Sequence, residues 1–214
     1  MCPQRQKSMT LMSADISPTY LDYNATTPLR PEAIDAISAT LGTPSNPSSV
    51  HQYGRSARFQ VEAARQKVAS LIGCYSDELT FTSGGTEANN LVLSAFTHVI
   101  TSRIEHDAIL SARPDATLID VDEHGVIHLP HLRHILSGLN PETVSDTLIS
   151  VMAANNETGV RQPLTDIVAL CKEYGVSVHS DMVQLAGKYS VNFLDIGLDF
   201  ATLSAHKIGG PAGV

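Results

Sequence analysis

One lysine, Lys207, stands where a short apolar run ends and a turn begins, in the sequence Ala201-Thr-Leu-Ser-Ala-His-Lys-Ile-Gly-Gly-Pro. The run over residues 200–205 is typical of a buried strand in an α/β sheet, and such sheets collect their ligands beyond the carboxyl ends of the strands. Lys207 is therefore placed to do chemistry, such as forming a Schiff base. Its position alone favours a solvated surface lysine, since most lysines are exposed, so the interpretation depends on other residues.

A second stretch, Thr82-Ser-Gly-Gly-Thr-Glu, leads from a predicted strand into a predicted helix. Glycines allow the backbone to approach a ligand, and a helix start offers unpaired N–H groups and a positive dipole end. The stretch could therefore hold an anion. It matches neither the Walker loop nor the Gly-x-Gly-x-x-Gly fingerprint, and a simple capped turn would explain it equally well.

Three more apolar runs are followed by polar side chains: His106 after one run, Asn155 and Asn156 after the next, and Asp181 and Gln184 after the third. A histidine there can act as an acid, a base or a flat stacking partner. Amides can cap a turn or donate to a ligand oxygen. A carboxylate that emerges from an apolar strand needs a cation, because an unpaired buried charge is costly.

These features together match the requirements of pyridoxal phosphate (PLP). PLP needs a lysine for covalent attachment, an acid at the pyridinium nitrogen, a phosphate site, hydrogen bonds to the ring hydroxyl and a flat side chain over the ring. Each feature has an ordinary structural explanation when it is considered alone. Their occurrence together favours a PLP site.

Helices and strands alternate along the chain, which predicts an α/β fold with a mostly parallel sheet covered by helices on both faces. The predicted helices are residues 32–41, 56–72, 86–96, 132–136 and 164–174. The predicted strands are residues 79–82, 98–101, 116–121, 126–129, 147–153, 176–179 and 200–205, together with a short strand near residues 20–31 that prolines interrupt.

Composition narrows the classes of function. The chain has 214 residues, 43% of them hydrophobic and 17% charged, which is typical of a globular protein. A net charge of -8 argues against nucleic acid or an anionic membrane as the main partner, and no run approaches the roughly 20 apolar residues of a membrane span. Residues 1–19 lack the apolar segment of a secretory signal, so we interpret them as a flexible leader before a domain over residues 20–214.

The cysteines Cys2, Cys74 and Cys171 show no pairing by spacing, which favours free thiols and a cytoplasmic location. The recurrence of His128, His131 and His134 at intervals of three raises the alternative of a metal site. These histidines lie on both sides of a proline and lack a set of acidic or cysteine partners. No metal site is therefore predicted.

Residues 20–214 resemble the cysteine desulfurases of the NifS and IscS type, within the fold-type I, class V aminotransferase superfamily. The matching motifs are Leu21-Asp-Tyr-Asn-Ala-Thr-Thr-Pro, Asn46-Pro-Ser-Ser followed by His51, Thr82-Ser-Gly-Gly-Thr-Glu-Ala-Asn-Asn, Glu105-His106, Asn155-Asn156-Glu157-Thr-Gly, His179-Ser-Asp181-Met-Val-Gln184 and Ser204-Ala-His206-Lys207. So many matches in the same order make the resemblance highly specific.

The resemblance implies Lys207 as the Schiff-base lysine, Asp181 as the partner of the pyridinium nitrogen and His106 as the residue that stacks on the ring and helps to move protons. The other implied PLP contacts are Asn156 and Gln184 at the ring hydroxyl, and Gly85, Thr86, Ser204 and His206 at the phosphate. It further implies a homodimer that converts L-cysteine to L-alanine and passes sulfur, as an enzyme persulfide, to an acceptor or scaffold protein for iron-sulfur cluster or thio-cofactor assembly.

The sequence departs from this family at two points. It ends at Val214, whereas family members continue for a comparable length, so we expect an incomplete PLP-binding large domain without the small domain. The family's carboxylate-binding arginine and sulfur-accepting loop cysteine lie in that later part, and none of the three cysteines here matches that loop cysteine. Met182 stands where the family more often has a small residue. Selenocysteine lyase, another class V enzyme and a non-catalytic PLP-binding remnant are the alternatives.

Overall fold

The computed structural model describes residues 18–214, so all of the predicted leader but its last two residues lies outside the described part. The strands are β1 (His98–Ser102), β2 (Thr117–Ile119), β3 (Thr147–Ser150), β4 (Ser177–Asp181) and β5 (Phe200–Thr202). They form one parallel sheet in the order β2-β1-β3-β4-β5. Their carboxyl ends therefore lie along one edge of the sheet, where the predicted site residues follow them.

Seven α-helices occur in the described part of the chain. They are α1 (Pro31–Leu41), α2 (Gln52–Ile72), α3 (Gly85–Ser94), α4 (Asp107–Leu110), α5 (Leu129–Ser137), α6 (Leu164–Tyr174) and α7 (Phe193–Ile196). Both α2 and α6 end where a glycine adopts the left-handed conformation, Gly73 with φ 71° and Gly175 with φ 70°. A residue with a Cβ would be strained there, so these glycines fix the ends of the two helices.

Two apolar clusters lie on opposite faces of the sheet. Ile149 of β3 belongs to the cluster that includes Leu132 of α5 and Ile167 of α6. Its neighbour Leu148 belongs to a second cluster with residues of α3 and α4. Because successive side chains of a strand point to opposite faces, helices cover both faces. The predicted α/β fold with a parallel sheet is therefore confirmed.

Several predicted helices are close to those observed. The helix predicted over residues 164–174 coincides with α6, and the one over residues 32–41 differs from α1 by one residue. The helix predicted over residues 56–72 begins earlier, at Gln52, because the His51 side chain accepts a hydrogen bond from the Gly54 N–H and caps the helix there. The short helices α4 and α7 were not predicted, since four residues show no helical periodicity.

Three predicted strands were wrong. The segment near residues 20–31 makes separate hydrogen bonds to the last turn of the chain, from Thr27 N to His206 O and from Arg30 N to Gly209 O, both 2.9 Å. Its prolines lack the N–H that a strand ladder needs. Residues 126–129 make one bridge, between Val121 and Ile127, before α5 begins, and residues 79–82 join no ladder in the described chain.

Two strands near the predicted site residues end earlier than predicted. The strand expected over residues 147–153 leaves the ladder after Ser150, and the one expected over residues 200–205 ends at Thr202. The chain then turns through a 3₁₀ segment, Ala205–Lys207, before Gly209 and Gly210. Because the strands end early, the residues that follow them are outside the ladder and are available to form the site. Within residues 18–214, no helix combines the length and apolar character needed to cross a lipid bilayer.

Candidate active site

A single cavity of about 470 Å³ lies at the carboxyl ends of β1, β3, β4 and β5. All nine predicted site residues line it: Gly85, Thr86, His106, Asn156, Asp181, Gln184, Ser204, His206 and Lys207. They come from five separate parts of the sequence and are brought together by the parallel sheet. Open α/β sheets bind their ligands at this edge, so the cavity is the candidate active site.

Lys207 reaches the segment over residues 22–26, which lines the same cavity. Its Nζ donates to the carbonyl oxygens of Asn24 at 2.5 Å and Ala25 at 2.8 Å. Burial lowers the pKa of Lys207, as does the nearby Lys188 ammonium, whereas the carboxylates of Asp181 and Asp22 act in the opposite direction. A lowered pKa increases the fraction of neutral amine, which is the form that attacks a carbonyl carbon.

Asp181 ends β4 and is 8% exposed. Its Oδ2 accepts a hydrogen bond from Asn89 Nδ2 at 2.8 Å, and its Oδ1 accepts from Val183 N at 3.0 Å. Burial raises the pKa of Asp181, and these hydrogen bonds, with more distant His106 and Lys207, act against that rise. No side chain of residues 18–214 forms a salt bridge with this carboxylate. The protonated ring nitrogen of PLP would supply the cation that this buried carboxylate needs.

The amino end of α3 forms a second part of the cavity wall. The preceding Gly84 has φ 137°, and a Cβ placed on Gly85 would lie 3.2 Å from Val183 Cγ2, so this turn is tightly packed against the segment after β4. The first N–H groups of a helix have no partner within the helix and attract anions. Thr86 and Ser204 add hydroxyl groups to the same wall, which fits a phosphate group.

His106 caps α4 through its side chain. Its Nδ1 accepts a hydrogen bond from Ala108 N at 3.0 Å, so a neutral ring carries its proton on Nε2. His206 instead pairs through Nδ1 with Thr26 Oγ1 at 3.1 Å. Burial lowers the pKa of His206, with a further contribution from Lys207, which favours a neutral ring beside the lysine. Both imidazoles are thus held in defined orientations at the cavity.

The two amide residues take part in contacts of different kinds. Asn156 accepts a hydrogen bond from Asn24 Nδ2 at its backbone oxygen, at 2.9 Å, and its own Nδ2 donates to Glu157 Oε1 at 2.6 Å. Gln184 Nε2 donates to Asn24 O at 2.9 Å. The neighbouring Asn155 instead caps the turn after β3, since its Oδ1 accepts from the N–H groups of Glu157 and Thr158. Only the second amide of the pair therefore lines the cavity.

Sequence reasoning missed four residues that shape this site: Asn24, Asn89, Glu105 and Lys188. The first three lie within the motifs that carry the family resemblance, but nothing in their spacing predicts a contact. Asn24 is about 180 positions from Lys207 along the chain, so their contact follows only from the fold. Asn89 is one helical turn after Gly85, and this spacing could have predicted that it faces the same cavity.

Glu105 is a buried carboxyl group directly before His106. Its Oε1 accepts hydrogen bonds from Ser102 Oγ at 2.7 Å and Met152 N at 2.8 Å, while Oε2 has no partner in the described chain. Burial raises the pKa of Glu105 to about 8, and the nearby Asp181 also contributes to the rise. Glu105 thus links the ends of β1 and β3, and its raised pKa favours the protonated form.

The described cysteines lie away from the cavity. Cys171 is fully buried in the cluster around α6, and burial raises the pKa of its thiol to about 12. Cys74 follows α2 and is partly exposed, and its pKa is also raised, mainly by burial. Cys2 lies outside the described residues. No set of three potential metal ligands occurs in residues 18–214, and His128, His131 and His134 are part of the cap and body of α5.

Known proteins resemble this chain over most of its length. It is 41% identical over 211 residues to the cysteine desulfurase IscS of Dictyoglomus turgidum, covering 91% of this chain and 52% of that protein. A NifS-like protein from Rickettsia africae has a solved structure that matches with a TM-score of 0.86 at 39% identity, covering 91% of this chain and 56% of that one. The chain thus spans about half the length of the curated relatives that it matches.

A third match is the solved structure of SspA in complex with cysteine, with a TM-score of 0.82 and 28% identity, covering 92% of this chain and 59% of that one. The family model described as "Aminotransferase class-V" matches residues 19–214. That match includes every residue that lines the cavity. The chain belongs to the class-V aminotransferase family.

Proposed function

We propose that this chain provides the PLP-binding site of a cysteine desulfurase. The observation that carries the proposal is that Lys207, Asp181 and the amino end of α3 open onto one cavity. Class-V aminotransferases and cysteine desulfurases are PLP enzymes, and this cavity offers an amine, a buried carboxylate and an anion-binding helix start. Relatives named as cysteine desulfurases support L-cysteine as the substrate.

Each part of the cofactor has a candidate partner. Lys207 would hold PLP covalently through Nζ, Asp181 would hold the proton on the ring nitrogen, and His106 would stack on the ring. The hydroxyl group of the ring would contact Asn156 and Gln184. The phosphate would lie against Gly85, Thr86, Ser204 and His206. Bound in this way, PLP supplies an electron sink for negative charge that develops on the substrate's α-carbon.

Two residues of this chain are suited to moving protons. As a neutral amine, Lys207 Nζ would be able to accept the proton from the substrate's α-carbon. Asp181 stays ionised only if its buried charge is balanced, so a proton held between its carboxylate and the ring nitrogen benefits both groups. His106, with its Nδ1 occupied by Ala108 N, offers Nε2 for proton transfer.

The net reaction transfers one sulfur atom. The thiolate of an enzyme cysteine attacks the sulfur of L-cysteine, an S–S bond forms and the substrate's Cβ–S bond breaks, with the electron pair leaving on Cβ. Protonation of that carbon gives L-alanine, and the enzyme cysteine becomes a persulfide. We propose that this sulfur serves iron-sulfur cluster or thio-cofactor assembly. The raised pKa of Cys171 makes it a poor candidate for that thiolate.

We also propose a homodimer in the cytoplasm. Large apolar side chains are exposed in and around α1 and α2: Leu41, Val50, Tyr53 and Phe59 are 78%, 88%, 57% and 75% exposed, respectively. Such an exposed set is typical of an interface. A sedimentation profile of a single monomeric species at micromolar concentration would contradict the dimer. The cytoplasmic location is supported by cysteines without spacing for disulfides and is tested by fractionating the producing cells.

The covalent site is tested by spectroscopy and peptide mapping. We expect the purified chain to absorb in the visible region after incubation with PLP and dialysis, and the band to disappear on borohydride reduction. Mass spectrometry of the digested, reduced protein should then identify the adduct on Lys207. The Lys207→Ala variant should lack both the band and the adduct. Lys67→Ala, which changes an exposed lysine of α2, should retain both.

Turnover is measured separately, as alanine formed from L-cysteine in the presence of a thiol reductant. Alanine formation that requires Lys207 supports the desulfurase proposal, and a preference for selenocysteine would instead favour the lyase. Adduct without alanine would support a cofactor-binding remnant and contradict desulfurase activity of this chain. Modification spread equally over exposed lysines would contradict the PLP site itself.

A further inference from the structure

Lys188 does not line the cavity and has no part in the proposed chemistry, but its ammonium group contacts two residues that do line it. It follows Gln184 by four residues, and its Nζ donates to Gln184 Oε1 at 2.7 Å and to Asn24 Oδ1 at 2.9 Å. The residue as a whole is exposed to solvent, yet its charged end is tied to two side chains that border the site. This pairing suggests a role other than solubility.

Lys188 contacts the oxygen end of the Gln184 amide. An amide can turn over and exchange its oxygen and nitrogen, since the two ends are nearly equal in size. An ammonium group only donates hydrogen bonds, so it selects the orientation in which Oε1 faces Lys188. The amide nitrogen is then the end that donates to Asn24 O. Gln184 is therefore presented to the cavity region as a donor of fixed orientation.

Asn24 joins Lys188 to Lys207. Its side-chain oxygen accepts from Lys188, its side-chain nitrogen donates to Asn156 O, and its backbone oxygen accepts from both Gln184 Nε2 and Lys207 Nζ. Four hydrogen bonds that involve side chains thus hold Asn24, although its segment has no helix or strand. Without Lys188, the Oδ1 of Asn24 loses this donor, and the carbonyl that holds Lys207 loses part of its support.

We propose that Lys188 is a positioning residue, which orients the Gln184 amide and fixes Asn24 so that its carbonyl oxygen holds Lys207 Nζ at the cavity. The inference rests on the proposed function for the biological role of Lys207, but the experiment that tests it does not require PLP. The same contacts bring a second positive charge near Lys207, and other charged or titratable groups around that lysine are Asp22, Asp181 and His206. Loss of the Lys188 charge should make Lys207 a more basic amine.

The test measures how the labelling of Lys207 depends on pH in the chain without PLP. A trace of acetic anhydride acetylates neutral amines, and mass spectrometry gives the fraction modified at Lys207 over a series of pH values. Lys188→Met keeps the aliphatic stem but removes the charge and the donors. It should move the midpoint for Lys207 to higher pH, and slow its labelling at a fixed pH below the midpoint about twofold to fivefold, which is the size of a solvent-screened charge interaction.

Two further variants separate positioning from a general structural effect. Lys188→Arg keeps a donor with positive charge and should retain the midpoint of the natural chain, while Lys67→Met removes an exposed charge from α2 and should also leave it unchanged. Circular dichroism checks that each variant is folded. An unchanged midpoint in Lys188→Met, or an equal shift in Lys67→Met or Lys188→Arg, would overturn the proposal.

The result is independent of the PLP experiment. If Lys207 forms no PLP adduct but its midpoint shifts in Lys188→Met and not in Lys188→Arg or Lys67→Met, the proposed function fails, whereas the coupling of Lys188 to Lys207 through their shared contacts with Asn24 stands. If the adduct forms and the midpoint does not move, the reverse holds. With PLP bound, a second readout is the visible absorption maximum, because the ring hydroxyl is the expected partner of Gln184. Lys188→Met should shift this maximum, whereas Lys188→Arg and Lys67→Met should not.

Discussion

Asn89 of α3 donates a hydrogen bond of 2.8 Å to the carboxylate of Asp181 at the end of β4, and both side chains are buried. This contact joins the helix whose amino end lines the cavity to the strand that supplies the carboxylate. The Oδ1 atom of Asn89 has no partner in the described chain. The amide therefore faces Asp181 with its donor end, which favours the ionised carboxylate.

Replacing Asn89 by Ala should weaken PLP binding. Without the donor, the pKa of Asp181 rises further, and the carboxylate is less available as a partner for the ring nitrogen. A hydrogen bond to a charged group contributes about 1.5–3 kcal/mol, so the dissociation constant should increase by about tenfold or more. Spectroscopic titration with PLP measures it. Gln66→Ala changes an exposed site on α2 and should bind PLP with the affinity of the natural chain. An equal affinity in Asn89→Ala would contradict the contribution of Asn89 to PLP binding.

The Glu105→Gln variant should change how stability depends on pH. The pKa of Glu105 is raised to about 8 in the folded chain, mainly by burial, while the unfolded value is about 4.3. The folded state therefore binds a proton that the unfolded state releases, and the natural chain loses stability as pH rises from about 4.3 to about 8. A glutamine keeps the acceptor at Oε1 but does not ionise.

The difference is measured by urea unfolding of both chains between about pH 5 and pH 8. Each unit of pKa shift corresponds to about 1.4 kcal/mol, so the natural chain should lose several kcal/mol relative to Glu105→Gln over this range. Glu123→Gln, at an exposed side chain, is the matched control and should show no such change. Parallel pH profiles for the natural chain and Glu105→Gln would mean that the folded state does not hold Glu105 in its protonated form.

Much of the site could be predicted because its residues follow apolar runs. Asp181 and Lys207 each come soon after a strand, and a parallel sheet brings such positions to one edge. Asn24 could not be placed in this way, since its segment was expected to be a strand and its contacts with Lys188 and Lys207 join distant parts of the sequence. The buried state of Glu105 likewise depends on packing between β1 and β3, which spacing does not encode.

The two described cysteines should differ in reactivity. Burial raises the pKa of Cys171 to about 12, so almost no thiolate is present near neutral pH, and the residue is closed to solvent. Cys74 is partly exposed at the end of α2. Iodoacetamide applied to the folded chain should therefore modify Cys74 first, as followed by mass spectrometry of the peptides. Both should react in urea, and fast labelling of Cys171 in the folded chain would contradict its burial.

His179 should make the folded chain sensitive to acid. It lies between β3 and β5, with Ser150 Oγ at 2.9 Å from Nδ1 and Thr202 Oγ1 at 3.0 Å from Nε2, and it is fully buried. Burial lowers its pKa to about 4, against about 6.5 in the unfolded chain. The unfolded state thus binds the proton first, and stability is lost as pH falls from about 6.5 through about 4.

A His179→Gln variant tests this directly, because glutamine can donate and accept hydrogen bonds but does not titrate here. The natural chain should lose on the order of 3 kcal/mol relative to the variant between about pH 7 and pH 4, as the pKa difference requires. Urea unfolding at several pH values measures it, with exposed His124→Gln as the control. The variant is expected to be less stable at neutral pH because its side chain fills the site less well. A constant stability difference between the two chains at every pH would show that His179 is not held neutral by the fold.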